Sequence, residues 1–229
     1  MGLNVIMMGA PGAGKGTQAS RFARERAIVK ISTGDILRDA IKEQLPVALA
    51  AKAKMDRGEL VDDETMIAIV RDRLLRPDAA AGFVLDGFPR TVAQARALDE
   101  IVAERGNGPL IVIDVSVPEQ ELVRRLATRR ICKSCGVNAD PFGPQTVCAK
   151  CGGELVQRTD DNQDVVLERL KVYQRATRPV LEYYRERPTF RIVNGAQTPE
   201  RVAHEMDTLI DDAAAVGVAV KTTPAERSL

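Results

Sequence analysis

Two stretches of this chain concentrate residues whose types and spacing can do chemistry. The first, GAPGAGKGT from Gly9 to Thr17, directly follows an apolar run. Glycines let a chain curl tightly and bring backbone N–H groups close to an anion, and a helix that begins there adds the positive end of its dipole. Gly12, Ala13, Gly14 and Gly16 supply the curve, Lys15 a charge that can reach terminal phosphates, and Thr17 a hydroxyl for Mg2+ or a phosphate oxygen. One position departs from the usual phosphate-loop pattern: Gly16 separates the lysine from the hydroxyl that normally follows it directly. An incidental glycine-rich turn is the alternative, but it leaves strand, glycines and lysine unconnected.

The second stretch runs from Arg129 to Asn162 and holds all four cysteines. Cys132 and Cys135 form one Cys-x2-Cys knuckle and Cys148 and Cys151 another, the arrangement of a tetrahedral four-thiolate zinc site. Four thiolates leave no position open for water, so such a zinc is structural. The segment has few large apolar side chains, and the metal would replace a core. A thiol redox pair is the alternative.

Positive charge is the other resource. Transfer of a phosphoryl group to another phosphate must hold two anions together, and it needs no strong general base, because a phosphate monoester is largely deprotonated at neutral pH. Arginines suit this through bidentate contacts. The only histidine, His204, falls in a C-terminal helical pattern and reads as surface or packing. Asp86, in LDGFPRT, closes an apolar run where open α/β sheets place ligands; it could hold Mg2+ through water, or cap the next helix.

The elements that must position these residues follow from periodicity. Apolar runs at 3–8, 27–31, 83–86, 110–117 and 190–193 read as buried strands, and amphipathic segments between them read as helices, as in residues 91–106, which end on Gly106. The alternation predicts an α/β fold with a parallel sheet wrapped by helices. Residues 32–61, helical in pattern with Pro46 and Gly58 as punctuation, and residues 128–161 read as insertions on one core formed by 1–31, 62–127 and 162–215. Residues 216–229 read as a flexible tail.

GAPGAGKGTQ, ISTGDILR, LDGFPRT and QRTDDN occur together, in an order and spacing that resemble adenylate kinases over about the first 210 residues. The resemblance implies a phosphate-loop NTPase core of five parallel strands, a helical AMP-binding insertion at 32–61 and a mobile zinc-binding lid at 128–161. It implies the reaction ATP + AMP = 2 ADP with Mg2+. By the same resemblance, Arg38 and Arg90 clamp the AMP phosphate, Arg125 and Arg129 close on ATP, and Arg158 and Arg169 bridge the transferring group. Thr33 and Gln94 would meet the adenine of AMP. Gly58 and the backbone of Glu59, Leu60 and Val61 would complete that pocket, and Gly87, Phe88 and Pro89 would turn Arg90 toward the acceptor. Gln197 would lie on the ATP side, and a monomer is the family expectation. N-capping by Ser32, Thr33 or Asp35 can coexist with the AMP role. Asp160 and Asp161 would pair with the flanking arginines when the lid is open.

Composition excludes other classes. The net charge of +1 offers no field for steering onto a polyanion or a membrane, and with 3% aromatic residues and no Trp there is no base-stacking platform. The N-terminus lacks the basic and apolar regions of a signal peptide, Ile6 stands where a myristoylation motif needs Ser or Thr, and no run approaches the roughly 20 apolar residues of a membrane span. A cytoplasmic nucleotide enzyme with no nucleic-acid partner is therefore expected. A kinase for another monophosphate or with GTP as donor, a zinc-ribbon nucleic-acid binder and a noncatalytic scaffold are the alternatives.

Overall fold

Strands whose two faces are both covered by helices carry apolar residues on both faces, and the run Val5–Met8 has that character. The computed structural model describes residues 2–44, 46–139, 143 and 145–222, without the side chains of 46–50, 159 and 218–222. Its first elements are β1 (Leu3–Met8), α1 (Lys15–Glu25), β2 (Val29–Ser32), α2 (Thr33–Lys42), α3 (Pro46–Asp56) and α4 (Asp63–Leu75). There follow β3 (Gly82–Asp86), α5 (Val92–Arg105), β4 (Leu110–Ser116) and α6 (Glu119–Thr128). A small hairpin, β5 (Ile131–Cys132) and β6 (Leu155–Val156), precedes α7 (Gln163–Val172), α8 (Arg178–Tyr184), β7 (Phe190–Asn194) and α9 (Pro199–Thr222). A π-helical turn, Tyr173–Thr177, joins α7 to α8.

Five strands form one sheet in the order β2-β3-β1-β4-β7, every neighbouring pair parallel. Alternation along β1 divides the core in two. Ile6 and Met8 pack with Phe83, Leu85, Val70, Leu98 and Tyr184 beneath α4, α5 and α8. Val5 and Met7 pack with Val84, Ile111, Phe22, Leu126 and Met206 beneath α1, α6 and α9. Each fully buried aliphatic or aromatic side chain contributes about 1.5–3 kcal/mol of transfer free energy, so the two layers fix the sheet rigidly and its strand ends can serve as a platform.

All five strand regions expected from the sequence are strands. One begins late: residues 26–28 complete the turn that closes α1, with Ile28 N–H donating to the Ala23 carbonyl at 3.0 Å, so β2 starts at Val29. Residues 32–61 carry α2 and α3, punctuated by Pro46 at the first position of α3 and by a turn at Gly58. The expected tail differs, because α9 continues through Thr222. Met206, Ile210 and Ala213 recur at helical spacing and bury against the sheet, and a Cβ on Gly217 would lie 2.7 Å from Pro109. Packing therefore carries the helix past residue 216. Residues 223–229 lie outside the described residues.

Candidate active site

The phosphate loop leaves the carboxyl end of β1 and enters α1, whose N-cap is Gly14 in a left-handed conformation with no side-chain cap. Thr17 and Gln18 N–H groups already donate to the Gly14 carbonyl, each at 3.1 Å, whereas Lys15 and Gly16 N–H groups have no helical acceptor by position. Lys15 folds back and its Nζ donates to the Gly9 and Ala10 carbonyls at 2.7 and 2.9 Å. Removal from water pushes the Lys15 amine down to about 8 against the pull of Asp86, and Arg90, Arg169 and Arg129 add repulsion. A Cβ on Gly16 would lie 3.0 Å from Asp86 Oδ2. A side chain at position 16 would therefore crowd the Asp86 carboxylate.

Asp86 ends β3, and a cis Phe88–Pro89 bond follows. The helix-capping alternative for Asp86 fails, because Thr91 caps α5, its Oγ accepting from Gln94 N–H at 3.2 Å. Arg90 is held from three sides: its Nε donates to the Gly87 carbonyl at 2.8 Å, its N–H to Gln94 Oε1 at 2.8 Å, and its carbonyl accepts from Thr177 Oγ at 3.0 Å. Gln94 in turn donates to Asp63 Oδ1 at 2.8 Å. Thr33 Oγ donates to the Gly87 carbonyl at 2.9 Å, which ties the start of α2 to the same turn. Ser32 caps α2 and leaves Thr33 and Arg38 on the cleft wall.

Carboxylates hold four of the six arginines singled out above. Arg38 pairs with Asp35. Arg125 Nε donates to Glu121 Oε1 at 2.7 Å, and Arg124 and Arg125 together bring the Glu121 carboxyl down to about 2. Arg129 forks onto the buried Asp161 carboxylate, with Nε 2.7 Å from Oδ2. Arg169 lies 3.0 Å from both Asp160 Oδ2 and Asp161 Oδ1. Arg158 is different: its buried Nε has no hydrogen-bond partner among the described residues. Desolvation lowers its pKa to about 10, with repulsion from Arg129 and Arg38.

The cysteines meet in the segment beyond α6. Their Sγ atoms all lie within 4.8 Å of one another, with Cys132 to Cys151 at 3.4 Å and Cys135 to Cys148 at 3.6 Å. A tetrahedral zinc with Zn–S of roughly 2.3 Å places sulfurs about 3.8 Å apart, so the cluster fits a four-thiolate metal site. Gly136 and Gly152 close the two knuckles with φ of 71° and 70°, a left-handed conformation that side chains disfavour. Cys135 N–H points at Cys132 Sγ, 3.4 Å away, and lowers that thiol's pKa. The donors available for Mg2+ are hard oxygens, the Asp86 carboxylate and the Thr17 hydroxyl, both on the cleft wall.

A single cleft of about 1420 Å3 takes in the loop from Gly12 to Thr17, Asp86 to Arg90, Thr33, Arg38, Glu59 to Val61, Gln94, Arg125, Arg129, Arg158, Arg169 and Gln197. That volume exceeds the roughly 300–1,000 Å3 of a pocket for one small ligand, so two nucleotides fit. Glu59 spends its carboxylate on Arg57, and Gln197 donates to Glu205 Oε2 at 2.5 Å. His204 lies on α9 away from this cleft. Sequence reasoning missed Lys30, Asp35, Tyr173 and Thr177 on the same wall. Lys30 directly precedes the ISTGD motif, where a lysine in a strand was the available signal, and Asp35 is the motif's last residue, considered above only as a helix cap. The other two sit on the π-helical turn, which periodicity does not reveal.

A family model described as adenylate kinase matches residues 7–189. A protein named adenylate kinase from Geobacillus sp. (strain WCH70) is 49% identical over 212 residues, 91% of this chain and 98% of that protein. Another of the same name, from Archaeoglobus fulgidus, is 46% identical over 214 residues, 91% of this chain and 98% of its own length. A third, from Carboxydothermus hydrogenoformans, is 47% identical over 204 residues, 87% of this chain and 95% of its own. With its parallel sheet, its phosphate loop and its cleft lined by arginines, this chain belongs to the adenylate kinase family.

Proposed function

We propose that the chain catalyses ATP + AMP = 2 ADP by in-line phosphoryl transfer, with a core of 1–31, 62–127 and 162–215, an AMP-binding insertion at 32–61 and a lid at 128–161. The observation that carries this reading is the convergence of Lys15 and six arginines from five segments on one cleft large enough for two nucleotides. The backbone from Gly12 to Thr17 and Lys15 would hold the ATP phosphates, with Gln197 beside the adenine and Arg125 and Arg129 closing from the lid side. Arg38 and Arg90 would hold the AMP phosphate, with Thr33, Gln94, the turn Gly87–Pro89 and the backbone of Glu59–Val61 around the base. Arg158 and Arg169 would reach the transferring group, and the unpartnered Nε of Arg158 is the donor with most to gain from a phosphate oxygen.

No side chain needs to act as a strong base, because the attacking phosphate oxygen is already ionised. The chain's work is to bind, align and neutralise, and closing of the lid keeps water from competing as acceptor. Mg2+ supplies charge neutralisation on the ATP phosphates when bound, and Asp86 would hold it through water. Zn2+ is the metal whose chemistry suits the four cysteines, as a structural ion. A monomer in the cytoplasm without a nucleic-acid partner completes the reading; among the described residues no helix is long and apolar enough to cross a membrane.

Purified protein assayed with ATP or GTP against AMP, GMP, CMP and UMP tests this. Rapid ADP formation with ATP and AMP alone is the expected result. Equal turnover of another monophosphate, or tight nucleic-acid binding without transfer, overturns it.

A further inference from the structure

Along β2, Ile31 packs into the layer beneath α4 and α5, and Lys30 points the other way, its Nζ donating to Ser20 Oγ on α1 at 3.0 Å. The same Nζ lies 3.8 Å from Asp35 Oδ2. It is also 4.0 Å from the place where a Cβ on Gly16 would sit, a point 3.0 Å from Asp86 Oδ2. Lys30 therefore stands where the phosphate loop, the end of β3 and the start of α2 come together, on the cleft wall. The other oxygen of Asp35, Oδ1, is taken by Arg38. One carboxylate sits between two cations, and one of these, Arg38, has to let go if it is to hold an acceptor phosphate.

We propose that Lys30 is a positioning residue for the acceptor: it takes over the Asp35 carboxylate when Arg38 turns to the AMP phosphate. An Asp35 left without a cation beside an incoming dianion would disfavour that turn, through repulsion and a lost charge-assisted bond. The two cations suit this division of labour. The planar guanidinium matches a phosphate in bidentate fashion, whereas the ammonium is a compact charge on a flexible stem that can follow a carboxylate over a short distance. Asp35 is about half exposed, at 49%, so the exchange belongs to the regime of solvated ion pairs and its effect is a few-fold. The inference rests on the acceptor-side reading of Arg38.

Steady-state constants for AMP and ATP on the full-length protein test it, with wild type, Lys30→Met, Asp35→Asn, the double variant and Arg38→Met. Lys30→Met should raise the AMP KM about three-fold and leave kcat and the ATP KM nearly unchanged. In the Asp35→Asn background the same change should have no effect on the AMP KM, and Lys30→Arg should restore wild-type behaviour. An unchanged AMP KM in Lys30→Met overturns the inference. So does a loss of equal size with and without Asp35, the signature of direct attraction between Lys30 and the phosphate. Thermal melts establish that the variants fold, and Lys30→Gln replaces Lys30→Met if that variant does not. Arg38→Met separates the two readings. If it weakens AMP while Lys30→Met does nothing, only the Lys30 exchange falls; if it leaves AMP affinity intact, the acceptor-side reading of Arg38 falls as well.

Discussion

At the scale of single residues, protein oxygens hold most of the cations that line the cleft. Lys15 is spent on two loop carbonyls, and its amine titrates near 8 because burial outweighs the attraction of Asp86. A bound polyphosphate favours the charged amine and raises that value, so ATP binding near pH 8 should take up protons. Binding should weaken as pH rises through about 8, where the free protein loses the Lys15 proton. Calorimetry in buffers of different ionisation enthalpy measures the uptake, and Lys15→Met should abolish it. Asp161 plays the opposite part, because its buried carboxylate holds both Arg129 and Arg169. Asp161→Asn leaves Arg129 without its counter-ion and Arg169 with Asp160 alone, and should cost about 1–3 kcal/mol of stability, read as a lower Tm. ATP affinity should change with it; a variant with wild-type Tm, affinity and turnover would remove Asp161 from the account.

At the scale of elements, the cysteine-bearing segment and α9 depend on packing in different ways. The hairpin of β5 and β6 has two residue pairs, Ile131 with Val156 and Cys132 with Leu155, too few for independent stability in water. A metal held by the four sulfurs would supply what is missing. Cys148→Ser, or treatment with a strong chelator, should release about one equivalent of metal and disorder residues 128–161, while the two-layer core keeps its melting transition. Hydrogen exchange resolved by segment distinguishes this from global loss. A lid that stays protected without metal would contradict the structural role. α9 shows the converse case: its last turns have little helical signal of their own, yet Ala213 and Gly217 sit against the body of the protein.

At the scale of the whole molecule, the sheet acts as a rigid platform, and its strand ends line the cleft together with residues drawn from 32–61 and 128–161. Arg38, Arg90, Arg129, Arg158 and Arg169 repel one another across the cleft, and on the proposed lid reading bound phosphates would offset that repulsion and favour closure. ATP and AMP together should therefore contract the molecule, seen as a smaller radius of gyration in X-ray scattering, and either nucleotide alone should contract it less. An unchanged radius with both bound would mean that closure is not how this chain excludes water.

Most of the architecture was legible because it depends on local pattern. Apolar runs separated by amphipathic segments imply a parallel sheet, and the glycines before Lys15 and the two cysteine knuckles bring their groups together over a few residues. The four motifs, and the resemblance they carry, named many of the residues that line the cleft but not Lys30, Tyr173 or Thr177. The sequence could not say which carboxylate holds which arginine, since Arg129 meets Asp161 across 32 positions. It could not say that a side chain at Gly16 would crowd Asp86, which lies a strand away. Nor could it say that Lys30, an unremarked residue of an edge strand, shares a carboxylate with Arg38. Local spacing fixes which groups a short segment can offer, whereas the pairing of charges from distant segments is decided only when the sheet brings their strand ends to one side.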